Sequence, residues 1–308
     1  MEKINEIDII LSIPQLDMFS RSFTQPVGML SPFRAAKLDS LSGENQSQEN
    51  EPIPGEFSLL VPSLLDPAAS VGLTIFLQDD LIDTSVFYPA VINLEDTVSI
   101  SQEEGLLRVQ QPAPLAEILS LLQQETVSSS QPDGFSPLEL KAEAGWLWWA
   151  LLDLINHPGA DRLTIPLLRQ HLEKSAQELE NLAGYASIIL DLNAINEAAF
   201  MAGINELFQK GILTLGQNGT LEPTNRLAEL AAQFQAKKTY IAITTNILLE
   251  NGEFGTIRLY FVQPAGGPFI LWYWVDDAVT ILNLTSEKAI SIITQILADP
   301  ASYYQSEP

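Results

Sequence analysis

Two strand-rich regions of this 308-residue chain repeat one order of elements, and this order constrains the fold more than any other feature. Residues 103–124 (EEGLLRVQQPAPLAEILSLLQQ) align without a gap with residues 276–297 (DDAVTILNLTSEKAISIITQIL). Each segment begins with an acidic pair, continues as an apolar strand and ends as a helix with apolar residues three and four positions apart. Further strand patterns precede both segments. We therefore predict that one sheet-plus-helix unit occurs twice.

The segment between these regions has a different pattern. Residues 138–236 are predicted to be mainly helical, whereas residues 1–126 and 238–299 are rich in β-branched and aromatic residues. We predict an α+β fold: two antiparallel sheet-plus-helix lobes, related by a pseudo-twofold axis, flank a helical middle. The polar stretch 38–55 predicts a mobile loop within the first lobe. The alternative is that two unrelated antiparallel sheets share this order by chance.

The segment FILWYWV, residues 269–275, is apolar at every position. Alternation along a strand sends its side chains to two faces, with Ile270, Trp272 and Trp274 on one and Leu271, Tyr273 and Val275 on the other. Because both faces are apolar, we predict that the strand is covered on both sides. The closing helix would form one cover, and the helical middle or a partner chain the other. The pattern favours packed sheet over an aromatic binding platform.

Residues 204–235 predict a helix that ends at Lys210-Gly211, a short strand, the turn GQNG, a second strand and another helix. This order resembles the helix–wing–helix end of winged-helix domains. A DNA-recognition helix needs basic and amide side chains for phosphates and base edges. The candidate helix, residues 195–210, carries Glu197, Glu206 and a single Lys. We interpret the module as a scaffold.

The charge balance excludes several partner classes. The chain has 39 acidic and 15 basic residues, a formal net charge of −24. Such a field repels nucleic-acid phosphates and anionic membranes, so neither is a predicted partner. No apolar run reaches the roughly 20 residues of a membrane span. The N-terminus lacks the basic and apolar regions of a secretory signal, which predicts a cytoplasmic protein.

The chain lacks the motifs of known catalytic or metal sites. It has no cysteine, and its two histidines, His157 and His171, have no second histidine at metal-ligand spacing. Phosphate-binding and nucleophile-elbow motifs are absent. Three acidic pairs fall in predicted turns, where carboxylates are well solvated: Asp79-Asp80, Glu103-Glu104 and Asp276-Asp277. We predict no enzyme, no catalytic residues, no metal and no cofactor; an enzyme with an unfamiliar carboxylate site is the alternative.

The plan of the whole chain resembles the EspG-like type VII secretion chaperones. The closing segment, LWYWVDDAVTILNLTSEKAISIITQILA, shares with that family an aromatic strand followed by a helix of small and branched residues. The resemblance implies two sheet-bearing halves about a pseudo-twofold axis. It also implies a factor that binds the helical tip of a secretion substrate.

We therefore predict a non-enzymatic cytoplasmic binding protein, a chaperone or adaptor with a helical protein partner and an oligomeric state that the sequence does not indicate. The partner surface is expected on sheet edges and loops such as 79–85 and 263–268, with Gln263, Phe269 and Trp272 as partner-binding residues. Aspartate at Gln263 and Phe269 is expected to abolish binding without unfolding. The alternatives are a winged-helix transcriptional regulator and a structural subunit of a larger assembly, with Trp272 or its neighbours exposed until the partner docks.

Overall fold

The fold is mixed α+β, with one large antiparallel sheet of ten strands and one small sheet of two strands. A computed structural model describes the following residues: 6–16, 28–33, 54–77, 80–90, 93–103, 105–125, 137–155, 163–175, 196–233, 239–249, 251–264, 267–275 and 278–306. The predicted class and the antiparallel pairing are confirmed. The predicted loop 38–55 lies outside the described residues, except for its last two positions.

The large sheet has the strand order β1-β5-β4-β3-β2-β9-β10-β11-β12-β6, and the small sheet pairs β7 with β8. The bounds are β1 Ile7–Ser12, β2 Ala69–Leu77, β3 Asp80–Tyr88, β4 Val98–Glu103, β5 Leu106–Gln111, β6 Leu138–Lys141, β7 Leu213–Leu215, β8 Leu221–Pro223, β9 Thr239–Leu248, β10 Phe254–Gln263, β11 Phe269–Val275 and β12 Ala278–Leu284. Strands β1 and β6 therefore form the two edges of the large sheet.

Eight α-helices of six residues or more accompany the sheets in the described ranges. They are α1 Phe57–Leu65, α2 Leu115–Glu125, α3 Ala142–Ile155, α4 Ile165–Ser175, α5 Glu197–Gln209, α6 Asn225–Gln233, α7 Ser286–Ala298 and α8 Pro300–Gln305. None of these helices combines the length and the apolar composition that crossing a membrane requires.

The two strand regions form one continuous sheet, because β2 pairs with β9 along its whole length, from Ala69 opposite Ile247 to Leu77 opposite Thr239. This differs from the prediction of two lobes that flank a helical middle. The middle does not separate the strand regions: its first strand, β6, extends the sheet through β12. Joining β2 to β9 satisfies the backbone groups that two separate sheets would each leave open at an edge.

Three apolar clusters fill the space on the two faces of the sheet. One face carries α2, α7 and α8 over the centre of the sheet. The other face carries α3 to α6 over the β9–β12 half and α1 over the β1–β5 half. Among the described residues, the cluster under α3 to α6 contains 29 buried residues and that under α1 contains 11.

Strand β11 is covered on both faces, as its sequence predicts. Ile270 and Trp272 belong to the cluster with α3 to α6, whereas Leu271 and Tyr273 belong to the cluster with α7. The predicted closing helix and helical middle are thus the two covers. All five tryptophans of the chain lie in or against the α3–α6 cluster. Ring centroids of Trp149 and Trp272 are 6.1 Å apart in an edge-to-face arrangement, the geometry that aromatic quadrupoles favour.

Local sequence features set the helices that cover β11. Ten of the fourteen residues of α3 are buried, because its sequence is apolar around its whole circumference. The side chain of Thr285 accepts a hydrogen bond from the N–H of Lys288 and caps α7. Gly211 ends α5 with a φ of 66°, the left-handed conformation that glycine adopts without steric cost.

Candidate binding surface

The three residues predicted to bind a partner are buried, which corrects the expectation that they are accessible. Phe269 has no exposed surface, and Trp272 and Gln263 are 2% and 4% exposed. The Gln263 side-chain amide donates hydrogen bonds to the carbonyl of Gly267 and to Ser286 Oγ, each at 3.1 Å. These side chains stabilise the interior, so an aspartate at Phe269 would be expected to unfold the chain instead of only disrupting a surface.

The two predicted surface segments do not lie at a sheet edge. Strand β3, which holds most of 79–85, runs between β2 and β4, and the end of β10 runs between β9 and β11. Leu81 is nevertheless 52% exposed. Asp79 and residues 265–266 lie outside the described residues.

The residues considered for chemistry do not form a reactive group in the described ranges. His157, Glu104 and Asp276-Asp277 lie outside these ranges. His171 Nε2 is 3.4 Å from Asp153 Oδ2, which links α4 to α3 in a partly buried pair. No group of three or more His, Asp or Glu side chains in the described residues could hold a metal ion.

The β6 edge of the sheet is closed. Strand β6 has four residues, of which Glu139 and Lys141 are exposed. The backbone N–H of Lys141 donates to Glu206 Oε1 at 3.1 Å, and α5 packs against the strand. A short strand, charged side chains and a covering helix are the features with which proteins protect an edge from further pairing.

The β1 edge differs, because no strand of the described residues pairs with its outward side. The N–H of Ser12 donates to Gln15 Oε1 at 2.7 Å, away from the neighbouring strand β5. Residues of an antiparallel edge strand alternate between facing the neighbour and facing outward. Asp8 and Ile10 therefore direct their N–H and C=O groups outward, and no hydrogen bond within the described residues uses these backbone groups.

One face of this edge carries exposed apolar side chains beside an ion pair. Ile10 is 62% and Leu106 is 42% exposed. Arg108 lies opposite Ile10, and Ser12 lies opposite Leu106. The Arg108 guanidinium donates to both carboxylate oxygens of Asp8, with Nε–Oδ1 at 3.0 Å and Nη2–Oδ2 at 2.6 Å. This hydrogen bonding and charge hold the pKa of Asp8 below its usual value.

We use the term β1 edge surface for the outward backbone of β1 together with Asp8, Ile10, Leu106 and Arg108. Sequence reasoning did not identify it. The available signal is Ile10 itself: it lies between Asp8 and Ser12 on the polar face of β1, whereas Ile7, Ile9 and Leu11 face the interior. The position of β1 at an edge depends on pairing with β5, about a hundred residues further along the chain, which a local pattern does not indicate.

A scan against models of known protein families and a search of the curated proteins both returned no match. The function of the β1 edge surface is therefore argued from its own geometry and chemistry.

Proposed function

We propose that this protein is a non-enzymatic chaperone or adaptor that binds another protein through the β1 edge surface. The observation that carries the proposal is a strand edge with which no described strand pairs, next to the exposed side chains of Ile10 and Leu106. Proteins normally protect such edges, and clustered exposed apolar side chains mark interaction sites. Among the described residues, seven of the nine exposed large hydrophobic side chains lie at or before Leu106: Ile10, Ile13, Met29, Leu59, Leu81, Leu94 and Leu106.

The net charge of −24 favours a neutral or basic partner. The resemblance to secretion chaperones makes a secretion substrate the first candidate partner, in a cytoplasmic setting. A structural subunit of a larger assembly would use the same kind of surface permanently instead of transiently.

We infer that the two halves of the large sheet are related by a pseudo-twofold axis. From edge to centre their orders are β1-β5-β4-β3-β2 and β6-β12-β11-β10-β9, and each half is followed in the chain by a helix on the same face. In the register of the ladders, residues 106–111 correspond to 278–283, one position away from the gapless sequence alignment. Ile10 then corresponds to Glu139, and Ile100 corresponds to Trp272.

We propose that the α5-β7-β8-α6 module is a winged-helix-like scaffold. Its support is the order of its elements and the antiparallel pairing of β7 with β8. Residues 196–224 contain one basic residue, Lys210, against Glu197, Glu206 and Glu222. Since DNA binding needs cationic side chains toward phosphates, a regulator is the weaker candidate. Retention on duplex DNA at low salt that is lost with added salt would favour the regulator.

The proposed function is tested by identifying and then reconstituting a complex. The tagged full chain is purified from the cells to which it is native after chemical cross-linking, and co-purifying proteins are identified by mass spectrometry. Each candidate is then purified, and its binding is measured by isothermal titration calorimetry. We expect the double variant I10E/L106E to weaken binding at least about tenfold, since it places two charges where apolar contacts form.

The matched control is L215E, because Leu215 on β7 is 66% exposed and lies in the other half of the chain. It is expected to bind the partner like the unmodified chain. A partner that binds I10E/L106E as tightly as the unmodified chain would contradict the assignment of the surface. Failure of every purified candidate to bind the unmodified chain would contradict the proposed function.

A further inference from the structure

We propose that the β1 edge surface recognises its partner by strand addition: an extended segment of another protein pairs with β1 and becomes the eleventh strand of the large sheet. This inference rests on the proposed function, which it makes more specific by naming the conformation and the chemistry of the bound segment. An extended segment supplies main-chain hydrogen bonds for affinity and alternate side chains for specificity.

The backbone of β1 is arranged to accept such a segment. Asp8 and Ile10 face outward, and between them they offer two N–H donors and two C=O acceptors to a new strand. Ser12 N–H is already used by Gln15 Oε1, so the available ladder ends there. The buried side chains of Ile7, Ile9 and Leu11 hold the strand against α1 and its cluster. The receiving edge is therefore fixed before the partner arrives, which lowers the entropic cost of binding.

The other edge of the sheet shows what a protected edge looks like in this molecule. In the proposed relation between the halves, the outward position Ile10 corresponds to Glu139, and Ser12 corresponds to Lys141. Strand β6 has an exposed charge where β1 has an exposed isoleucine, and it is covered by α5. Within β1 the one charged side chain, Asp8, is already paired with Arg108. No lysine or proline in β1 opposes pairing.

Charge identifies the occupant as a segment of a different protein with net positive charge. A second copy of this chain would bring a further −24 to the interface, which opposes association through β1. A cationic strand gains from the same field. Side chains that alternate between apolar and basic would place one apolar group beside Ile10 and Leu106 and the basic groups on the opposite face of the sheet.

The probe is a fluorescein-labelled nine-residue peptide in which isoleucine or valine alternates with lysine or threonine. Its binding to the full chain is measured by fluorescence anisotropy. Two derivatives of this peptide carry backbone N-methyl groups, one derivative at the odd-numbered positions and the other at the even-numbered positions. We expect one derivative to lose at least about tenfold in affinity, because methylation removes two or more ladder hydrogen bonds, and the other to change less than about twofold.

Two protein variants separate the backbone from the side chain. Ile10→Pro removes an outward N–H without breaking a bond to β5, since proline is tolerated at such edge positions. Ile10→Thr keeps the N–H and the branched side chain and loses apolar surface. We expect the proline variant to abolish measurable peptide binding and the threonine variant to weaken it about threefold. Circular dichroism melting must show both variants folded; if the proline variant is unfolded, the two N-methylated peptides provide the backbone test.

Several outcomes overturn strand addition and leave the proposed function standing. One is an equal loss of affinity for both N-methylated derivatives. Another is that a basic amphipathic helical peptide binds more tightly than the extended peptide. A third is a reconstituted partner whose binding responds to I10E/L106E but not to Ile10→Pro. Self-association of the full chain in analytical ultracentrifugation that Ile10→Pro abolishes would instead identify a second copy as the occupant. The proposed function itself fails only if no purified candidate protein binds the unmodified chain.

Discussion

The two edges of the large sheet face solvent in different ways. Each edge strand nevertheless comes first in the chain among the strands of its half: β1 before β2–β5, and β6 before β9–β12. Strand β6 has four residues, exposes charged side chains and gives its Lys141 N–H to Glu206 of α5. Strand β1 has six residues, exposes Ile10 and leaves the outward backbone groups of Asp8 and Ile10 unused by the described residues. Natural proteins protect sheet edges against unwanted pairing, and under the proposed function the less protected β1 edge is the one that receives the partner.

The two halves behind these edges also differ in packing. Among the described residues, the β9–β12 half lies under four helices and all five tryptophans, whereas the β1–β5 half lies under α1 and a cluster of 11 residues. Most of the exposed apolar side chains of these residues lie at or before Leu106. We therefore expect core substitutions to cost more stability in the β9–β12 half.

The largest effect is expected for Phe269→Asp, which places a carboxylate in the α7 cluster at a position with no exposed surface. Burying an unpaired charge costs several kcal/mol, and we expect a loss of more than about 4 kcal/mol in the free energy of unfolding. Urea denaturation followed by circular dichroism measures it. The control Leu81→Asp, at a half-exposed position of β3, should change stability by less than about 0.5 kcal/mol. A folded Phe269→Asp variant would contradict the assigned burial.

A comparison of Trp272→Ala with Ile100→Ala tests whether the packing described over the two halves of the sheet differs in its contribution to stability. Trp272 is 2% exposed, whereas Ile100 is only partly buried against the α1 cluster. We expect a loss of about 3–5 kcal/mol for the tryptophan and about 2 kcal/mol or less for the isoleucine, by urea denaturation. The indole N–H of Trp272 has no hydrogen-bond partner among the described residues, so the stability that the alanine variant loses comes from packing. Equal losses in the free energy of unfolding would contradict a packing difference between the halves.

Opening the closed edge has a smaller effect. Glu206→Ala removes the acceptor of the Lys141 N–H and should lower the free energy of unfolding by about 1 kcal/mol. The matched control is Glu229→Ala, since Glu229 is exposed on α6 and the change in helix propensity is the same. Thermal melting of the two variants side by side measures the difference. If both variants melt together, the Glu206 contact does not stabilise the β6 edge.

The smallest effect is expected at the β1 edge, for Arg108→Gln. Arg108 lowers the pKa of Asp8, so the ionised carboxylate stabilises the folded state. This contribution is present above the unfolded pKa of about 3.9 and is lost as the pH falls through the lower folded value. Because the pair is partly exposed, the free energy of unfolding of the unmodified chain should exceed that of the variant by about 0.5 kcal/mol from pH 7 to pH 5. Urea denaturation at each pH measures this difference in the free energy of unfolding. A difference that grows as the pH falls toward 3 would contradict the assigned role of the pair.

Part of the candidate site could be predicted from the sequence and part could not. Alternation along FILWYWV predicts two buried faces, and the structure places Trp272 and Leu271 on opposite sides of the sheet. The same burial excludes Gln263, Phe269 and Trp272 from an accessible surface, which sequence reasoning did not recognise. An aromatic run predicts that side chains are buried, but it does not indicate whether the cover is a partner or another part of the same chain.

The sequence by itself determined the local elements and their faces: the helix cap at Thr285, the end of α5 at Gly211 and the apolar faces of β11. These depend on the spacing of side chains within a few residues. The tertiary structure alone decided that β2 joins β9 and that β1 lies at an edge of the large sheet. Pairing between strands far apart in the chain depends on which apolar faces and backbone edges meet in three dimensions, and no local pattern specifies that meeting.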